Sequence, residues 1–403
     1  MQYRSDYTYK RNDFIVPDYT WYGGPHSDGY IYSMRQALEW KGGHRIYLEG
    51  NTFQGTFNEI SGASLTIGAM GMTIGITDMH LKFNEIAHVP GVIQGAHTIF
   101  NSGSPSSRFW MEHNLVWDCD PSRHIPGAHE GNCYFVEGPH GAEDVILDHN
   151  TVVNNRGGLV PTFVYLFDKR SEGVRVTNNI MFIDSRYKGV QIDGSVNNNE
   201  NTCRTDSTPP GEKTLDCMWN DYVWDHNLMI PLVAGESDAD QFLIQDAWRR
   251  AARNNFIPKW DSKALQKAGW LGFTGKEDHP DFRLRPNSPF AADGTMRASD
   301  RTDLGADIEG LRAAQGVVTN VDAPGNEITA SSAVITFRAP DVQACPVDFS
   351  ETDRTLIHSF TRVKDPGGDR NRKVTLSDLS PNTTYYYRID CASRQPTGQF
   401  KTK

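Results

Sequence analysis

Apolar side chains recur at fixed distances from an asparagine at seven places along this chain. Apolar or aromatic residues stand five and three positions before each asparagine, and another apolar residue stands two positions after it. The asparagines of the seven copies are Asn12, Asn51, Asn84, Asn114, Asn150, Asn179 and Asn227. The upstream spacing of two is that of a strand with one buried face, and the asparagine marks a turn that leads back into the core. The pattern predicts seven strand–turn–strand units around one core.

The length of the repeats indicates a stacked array. Consecutive copies are separated by between 29 residues (Asn150 to Asn179) and 48 residues (Asn179 to Asn227), so each copy carries a loop of its own. Strand-and-turn repeats with a period of roughly 20–50 residues predict a β-solenoid. The aligned asparagines resemble the asparagine ladder of right-handed parallel β-helix proteins, the fold of pectate lyases, polygalacturonases and many secreted carbohydrate-active proteins. The resemblance implies that these residues have a structural role, in which each amide bonds the backbone and the ladder amides above and below it.

Two further segments belong to the predicted β-helix domain. Residues 240–268 have the 3.6-residue period of an amphipathic helix. The segments 281–289 and 303–307 resemble the closing segment of secreted bacterial β-helix proteins, which seals the last coil. We therefore predict a right-handed parallel β-helix with a helical and loop closing segment over residues 1–315. Because the first repeat begins almost at residue 1, we expect further N-terminal coils or a neighbouring chain to cover that end.

After residue 315 the pattern changes to short alternating strands, such as Ser332–Phe337 and Thr384–Asp390. The stretch Leu379–Arg388, with Gly398–Thr402 after it, resembles a fibronectin type III module. Residues 316–403 are therefore predicted to form a small β-sandwich, which makes the whole chain all-β. The resemblance implies a spacer or surface-docking unit without an active site.

Composition disfavours two classes of partner. The formal net charge of −10 disfavours nucleic acids and anionic membranes, because phosphate groups need a basic surface. No apolar run approaches the roughly 18 residues that span a bilayer, so we expect no membrane insertion.

Six cysteines form three local pairs without a CxxC spacing, which we interpret as disulfides of a secreted or cell-surface protein: Cys119–Cys133, Cys203–Cys217 and Cys345–Cys391. Buried free thiols are the alternative.

A second column of polar residues is predicted out of phase with the ladder. Four short strands align so that their last polar residues become neighbours on consecutive coils: Gln94, Glu137, Asp168 and Asp193. Adjacent strands lie about 4.8 Å apart, which would put the three carboxylates within about 10 Å. Such a row suits glycoside hydrolysis, in which two carboxylates lie roughly 5–9.5 Å apart, or the binding of calcium. A register shifted by one residue would instead spread the three carboxylates into solvent.

Other candidate residues lie in loops that we expect near this column. His129, between Cys119 and Cys133, is a candidate general acid or base, or a metal ligand. The candidate substrate-binding residues are the basic pair Lys169 and Arg170, for an acidic sugar, and the aromatic platforms Trp21, Tyr22 and Trp117. Simple solvation is the alternative for the loop histidine and the basic pair. Three histidines that immediately precede ladder asparagines are expected at the surface: His113, His149 and His226.

These observations lead to three functional hypotheses. The first is a secreted polysaccharide hydrolase or lyase that uses Glu137, Asp168 and Asp193. The second is a non-catalytic carbohydrate-binding or adhesion module, which a flat aromatic face without converging acids would favour. The third is a structural component of a surface fibre. The chain lacks the Asn-Thr-Asp, Asp-Asp and Gly-His-Gly pattern of polygalacturonases and the Asp-Pro-His of alginate epimerases, so no known catalytic signature supports the enzyme.

Overall fold

The chain divides into two compact units, Met1–Ile308 and Glu309–Lys403. A computed structural model describes residues 6–15, 38–40, 43–54, 65–67, 76–87, 91–94, 107–117, 134–137, 142–153, 162–166, 171–184, 190–192, 219–232, 254–256, 282–391 and 395–403. The cysteine pairs Cys119–Cys133 and Cys203–Cys217 lie outside these residues, as does the predicted helix over 240–268 except for residues 254–256. At those three residues the helix prediction is wrong, because Phe256 forms a parallel β-bridge with Leu228. The sequence boundary was placed after residue 315, whereas the compact units separate at Ile308, where a short helix, Ile308–Ala314, begins.

Three parallel sheets build the first unit. Sheet A consists of Tyr7–Lys10, Gly43–Glu49, Ile76–Lys82, Ser107–Glu112, Glu143–Asp148, Ser171–Thr177 and Trp219–Asp225. Sheet B consists of Asp13–Ile15, Thr52–Gln54, Glu85–Ala87, Leu115–Trp117, Thr151–Val153, Ile180–Asp184 and Leu228–Leu232. Sheet C consists of Leu38–Trp40, Leu65–Ile67, Gly91–Gln94, Tyr134–Glu137, Thr162–Leu166 and Val190–Ile192. The chain passes from A to B to C and back to A, which is the course of a parallel β-helix.

The residues of the apolar template point into one core. Equivalent positions pair across neighbouring coils, so that Phe109 lies opposite both Met79 and Val145. On the inner coils these side chains are almost completely buried, as Ile46 and Leu48 illustrate with no exposed surface. Burial of stacked apolar side chains is the main stabilising contribution in such a solenoid. The predicted all-β fold, a parallel β-helix with an asparagine ladder followed by a small β-sandwich, is confirmed.

The ladder lies at the turn between sheets A and B. The backbone amide and the Nδ2 of each ladder asparagine both donate to the Oδ1 of the asparagine on the next coil; for Asn84 both distances to Asn114 Oδ1 are 3.0 Å. Asn84 Nδ2 also donates to the backbone oxygen of Leu48 on the preceding coil. An eighth member, Asn255, continues the ladder after Asn227. These bonds satisfy polar groups that a buried turn would otherwise leave without partners.

A left-handed residue precedes each of the seven ladder asparagines of the repeat. The φ angles lie between 50° and 65° at Arg11, Gly50, Phe83, His113, His149, Asn178 and His226. The left-handed conformation reverses the chain within one residue, and it costs little for glycine and asparagine but more for larger residues. Arginine, phenylalanine and histidine are therefore held there by the surrounding contacts rather than by their own preference.

The segment Ser299–Asp307 lies along this turn. Backbone amides of the segment bond the Asn178 side chain (from Ser299, 2.8 Å) and the Thr151 hydroxyl (from Ala306, 2.9 Å). The Asp307 amide reaches the His113 ring, which belongs to an earlier coil. The closing segment thus runs across the sides of several coils, whereas the resemblance implied that it seals the last one.

The second unit is antiparallel. One sheet contains Thr319–Asp322, Ala333–Arg338 and Asn371–Leu376, and the other contains Val347–Ser350, Thr361–Val363, Thr384–Ile389 and Thr397–Lys401. The alternating burial of Thr384–Ile389 matches the predicted period of two. The predicted bond between Cys345 and Cys391 is confirmed, and both cysteines are buried in the core of this unit. No helix among the described residues has the length and apolar character needed to cross a bilayer.

Candidate functional site

The outer face of sheet A carries a column of aromatic side chains. The residues four positions before the ladder asparagines pair in register across the whole sheet: Thr8, Tyr47, His80, Trp110, Ile146, Arg175 and Val223. They alternate with the buried template positions, so they point away from the core. Three consecutive strands therefore present Tyr47, His80 and Trp110 on the outside, over a distance of about 10 Å, or two strand spacings.

The three rings form one continuous surface, which we call the aromatic column. The centroid of His80 lies 5.2 Å from that of Tyr47 and 5.5 Å from that of Trp110, in edge-to-face geometry on both sides. Trp110 is 42% exposed, although large apolar side chains of solenoid strands usually face the core. Lys10 extends the column, with its ammonium group 4.9 Å from the Tyr47 ring centroid. These edge-to-face contacts fix the orientation of the rings.

Charged side chains line one edge of the aromatic column. The residues two positions before the ladder asparagines also pair in register: Lys10, Glu49, Lys82, Glu112, Asp148, Thr177 and Asp225. Lys10 Nζ lies 2.7 Å from Glu49 Oε2, and Glu112 Oε2 lies 2.9 Å from His80 Nε2 and 3.5 Å from Lys82 Nζ. The edge therefore offers ammonium and carboxylate groups side by side with the rings.

The electrostatics of this edge keep Glu112 ionised. The hydrogen bond from His80 lowers the pKa of the Glu112 carboxyl, and the charge of Lys82 acts in the same direction against the effect of burial. Burial, reinforced by the nearby Glu49 carboxylate, raises the pKa of Tyr47, which keeps its phenol protonated. The face thus presents a protonated phenol, an indole, a histidine ring and a carboxylate that accepts hydrogen bonds.

Residues six positions before the ladder asparagines form a third column, in which acidic and basic residues alternate over the first five members. The sequence of this column is Asp6, Arg45, Asp78, Arg108, Asp144, Gly173 and Asp221. Asp6 pairs with Arg45, and Asp78 pairs with Arg108 through an Nη2–Oδ2 distance of 2.8 Å. Hydrogen bonding by Arg108 lowers the pKa of Asp78 to about 2. Exposed pairs of this kind add little stability, but they disfavour a shift of one coil against the next.

The predicted carboxylate column belongs to sheet C. Gln94 pairs with Glu137, as the sequence alignment predicted. On its other side Glu137 pairs with Tyr165, three positions before Asp168, so the backbone register departs from the predicted alignment. Gln191 pairs with Tyr165 in turn. Among the described strands, the residues beside Glu137 are therefore an amide and a phenol.

Most of the other predicted site residues lie outside the described part of the chain. They are Asp168, Asp193 and His129 of the catalytic set and Trp21, Tyr22, Lys169 and Arg170 of the substrate-binding set. Trp117 is described: its Nε1 donates to Glu85 Oε1 at 3.1 Å, and its ring lies 5.9 Å from that of Phe282. Its role as a sugar platform stays a prediction. Within the described residues, no group of histidine, cysteine and acidic side chains forms a metal site.

Two features were missed in the sequence. The prediction that His149 lies at the surface is wrong, because segment Ser299–Asp307 covers it and leaves its side chain 3% exposed. The aromatic column was not predicted, although its signal stands four positions before three consecutive ladder asparagines, Asn51, Asn84 and Asn114. The repeat template contains only buried apolar positions, so the outward-facing Tyr47, His80 and Trp110 fall outside it.

Comparisons with known proteins add similarity over a small part of the chain. No family model and no curated protein matches it. Among solved structures, a computationally redesigned β-sandwich protein is 26% identical, over 21% of this chain and 92% of that one, with a TM-score of 0.17. The sensor domain of the anti-sigma factor RsgI4 from Pseudobacteroides cellulosolvens is 20% identical, over 21% of this chain and 91% of that one, also with a TM-score of 0.17.

Proposed function

We propose that this protein is a carbohydrate-binding module that holds a glycan on the outer face of sheet A. The observation that carries the proposal is the aromatic column of Tyr47, His80 and Trp110, with charged groups along its edge. A sugar ring has an apolar C–H face and a rim of hydroxyl groups. Aromatic rings complement the first, and the carboxylate and ammonium groups beside them complement the second.

The pairing of Glu49 and Glu112 with neighbouring side chains favours glycan binding over glycan cleavage at this face. Glycoside hydrolysis requires one carboxylic acid that holds a proton and a second carboxylate across the sugar. Glu49 is paired with Lys10, and Glu112 is paired with His80 and Lys82. Because these contacts lower the pKa of Glu112, it is poorly suited to donate a proton near neutral pH. Both carboxylates are better suited to accept hydrogen bonds from sugar hydroxyls.

The test is affinity electrophoresis of the full chain in gels that contain neutral or acidic polysaccharides. Trp110→Ala should lose most of the retardation, because truncation of a central exposed aromatic residue commonly costs about 2 kcal/mol or more of binding energy. Val223→Ala is the matched control, since Val223 is exposed at the equivalent position of another strand. If polysaccharide retards wild type and Trp110→Ala equally, the proposed site is wrong. Equal losses of retardation in Trp110→Ala and Val223→Ala would also overturn it.

A glycan-cleaving enzyme is the second proposal, and it rests on sheet C. The backbone pairing of Gln94 with Glu137 supports it, because this part of the register agrees with the predicted alignment. Asp168 or Asp193 would supply the second carboxylate. Alternatively, the same residues would bind a calcium ion. Glu137→Gln should abolish any release of reducing ends or unsaturated products, measured with and without a chelator. A wild-type protein that binds glycan and releases no product would exclude this proposal and retain the first.

We further propose that this protein is secreted and that it belongs to the pectate-lyase-like superfamily, with a fibronectin type III-like second unit. Support for the second unit comes from Tyr385, whose hydroxyl accepts a hydrogen bond from the Ser380 amide (2.8 Å), as in the tyrosine corner of immunoglobulin-like sandwiches. The buried disulfide between Cys345 and Cys391 is compatible with an oxidising compartment. Detection of the protein in culture medium with this disulfide intact would test the location.

A further inference from the structure

An open pocket lies where the described ladder ends. It has a volume of about 500 Å³, and its lining includes His226, Asn255, Thr295, Arg297 and Arg301. Two of these residues are arginines and none of the described lining residues is acidic, although the whole chain carries a net charge of −10. A basic pocket on an acidic protein attracts small anions in preference to neutral molecules.

The ladder itself shows what the end of the stack can bind. At each of the seven links from Asn12 to Asn255, a backbone amide and an Nδ2 group converge on a single oxygen at 2.8–3.1 Å. The repeated unit is thus a two-donor site for one oxygen atom. Such paired N–H groups form the same kind of site as the nests that bind anions elsewhere in proteins.

Asn255 carries the same two donors, its backbone amide and its Nδ2. In the described parts of the chain, no further ladder residue supplies an oxygen to them. Its Oδ1 accepts both bonds from Asn227, and its Nδ2 donates to the backbone oxygen of Trp224 at 2.9 Å. Its backbone amide and the second hydrogen of Nδ2 remain for another acceptor. Because Asn255 lines the pocket, a bound molecule can supply that acceptor.

The two arginines complete the chemistry. Arg297 Nη1 donates to the backbone oxygen of Ala292, which steadies its guanidinium group at the pocket. No described carboxylate forms an ion pair with Arg301, whose guanidinium therefore stays available for a ligand. Guanidinium groups bind planar oxyanions through two parallel hydrogen bonds. One oxygen of such an anion would occupy the ladder position on Asn255 and the other would face an arginine.

We propose that this pocket binds a small oxyanion, with the carboxylate of an acidic sugar or a free inorganic anion as the source. The proposal does not depend on glycan binding at the aromatic column, since the two sites share no residue. The reason lies in the fold: the described ladder ends at Asn255, and the donors of Asn255 provide half of an anion site.

Isothermal titration of the full chain with acetate, glucuronate, inorganic phosphate and glucose tests the proposal. Acetate or phosphate should bind while glucose does not, and added salt should weaken the binding. Glucuronate that binds more tightly than acetate identifies an acidic sugar as the source, and phosphate that binds most tightly identifies an inorganic anion. Both outcomes support the pocket, whereas no binding of any anion, or equal binding of glucose and glucuronate, overturns it.

Variants separate this site from non-specific charge effects. Arg301→Gln should weaken anion binding by at least about tenfold, the usual effect of losing a hydrogen bond to a charged group. Arg285→Gln is the matched control, since it removes an exposed arginine of the described range 282–391 that is not among the lining residues of the pocket. Arg301→Gln should leave retardation by neutral polysaccharides unchanged, and Trp110→Ala should leave anion binding unchanged. Equal losses in Arg301→Gln and Arg285→Gln would show that only net charge matters, which would refute the pocket.

Discussion

The rings of His113 and His149 lie on adjacent coils with their centroids 4.8 Å apart, yet their pKa values shift in opposite directions. Burial, together with the charge of His149, lowers the pKa of His113 to about 4. For His149 burial acts in the same downward direction, but the adjacent Asp148 and Asp300 carboxylates outweigh it and raise the pKa. His149 Nδ1 lies 3.0 Å from Asp148 Oδ2, and its Nε2 lies 3.0 Å from the Thr302 hydroxyl.

This pair makes the turn sensitive to pH in two ways. The contribution of His149 is fully present below the unfolded pKa of about 6.5 and is lost as the pH rises through its raised folded pKa. His113 stays neutral in the folded protein down to about pH 4, so the unfolded chain takes up its proton first. The stability that depends on His113 therefore falls as the pH drops from about 6.5 towards 4.

Replacement of His113 by phenylalanine should remove that acid sensitivity. A phenyl ring can still stack, because Phe83 occupies the equivalent position on the preceding coil and lies 5.0 Å from His113. Between pH 6.5 and pH 4 the variant should lose roughly 2–3 kcal/mol less stability than wild type. Urea unfolding at half-unit pH intervals measures this difference. Parallel curves for the two proteins over this range would contradict the predicted titration.

Replacement of a central ladder residue should be among the most damaging single changes. Asn114 has no exposed surface, and its amide group serves Asn84, Asn150 and the backbone oxygen of Leu81. Asn114→Ala leaves several buried donors and acceptors without partners, each worth about 1–3 kcal/mol. We expect a loss of at least about 3 kcal/mol by chemical denaturation. The exposed Asn287→Ala is the control, and a similar small effect in both variants would argue against the ladder as a major stabilising element.

The ladder also shows how far the sequence could be interpreted. Seven rungs followed from one template because a strand position buried in every coil must be apolar in every copy. Asn255 was not predicted as a ladder residue because Arg250 stands five positions before it, where the template requires an apolar residue. The contact of Thr302 with His149 joins residues 153 positions apart, and no local pattern encodes such a pairing. The carboxylate alignment failed at Tyr165 because it matched Tyr165 with Tyr134, whereas Thr162 pairs with Tyr134 in the structure. The apolar residues of strand Thr162–Leu166 fit either register, so the sequence pattern did not distinguish the two.

Gly305 should be essential for docking of segment Ser299–Asp307. Its φ of +77° lies in the left-handed region, and an added Cβ would approach Thr151 Oγ1 to 2.4 Å and Ile180 Cδ1 to 2.8 Å. Gly305→Ala should therefore cost more than the roughly 1 kcal/mol of backbone strain alone. Limited proteolysis of the segment, together with thermal unfolding, would report the loss.

Two other glycines separate the causes of that loss. Gly368 has a φ of +95° and open space where a Cβ would lie. Gly368→Ala therefore measures the cost of backbone strain at a positive φ alone. Gly325 has open space and no positive φ, and Gly325→Ala should be close to neutral. A loss at Gly305 that is no larger than the loss at Gly368 would mean that the contact with Thr151 can relax.

The disulfide of the second unit should contribute strongly to its stability. Cys345 and Cys391 close a loop of 46 residues and lie in the same core as Val347 and Ile389. Cross-links of this length typically contribute about 2–4 kcal/mol, chiefly by restricting the unfolded chain. The double variant Cys345→Ala, Cys391→Ala should therefore unfold at lower denaturant concentration, in a transition assigned to residues 309–403 by hydrogen exchange. Replacement of both cysteines also removes buried sulfur contacts, so reduction of the wild-type bond is the necessary control. If reduction leaves that transition in place while the double variant lowers it, packing of the two side chains rather than the cross-link stabilises this unit.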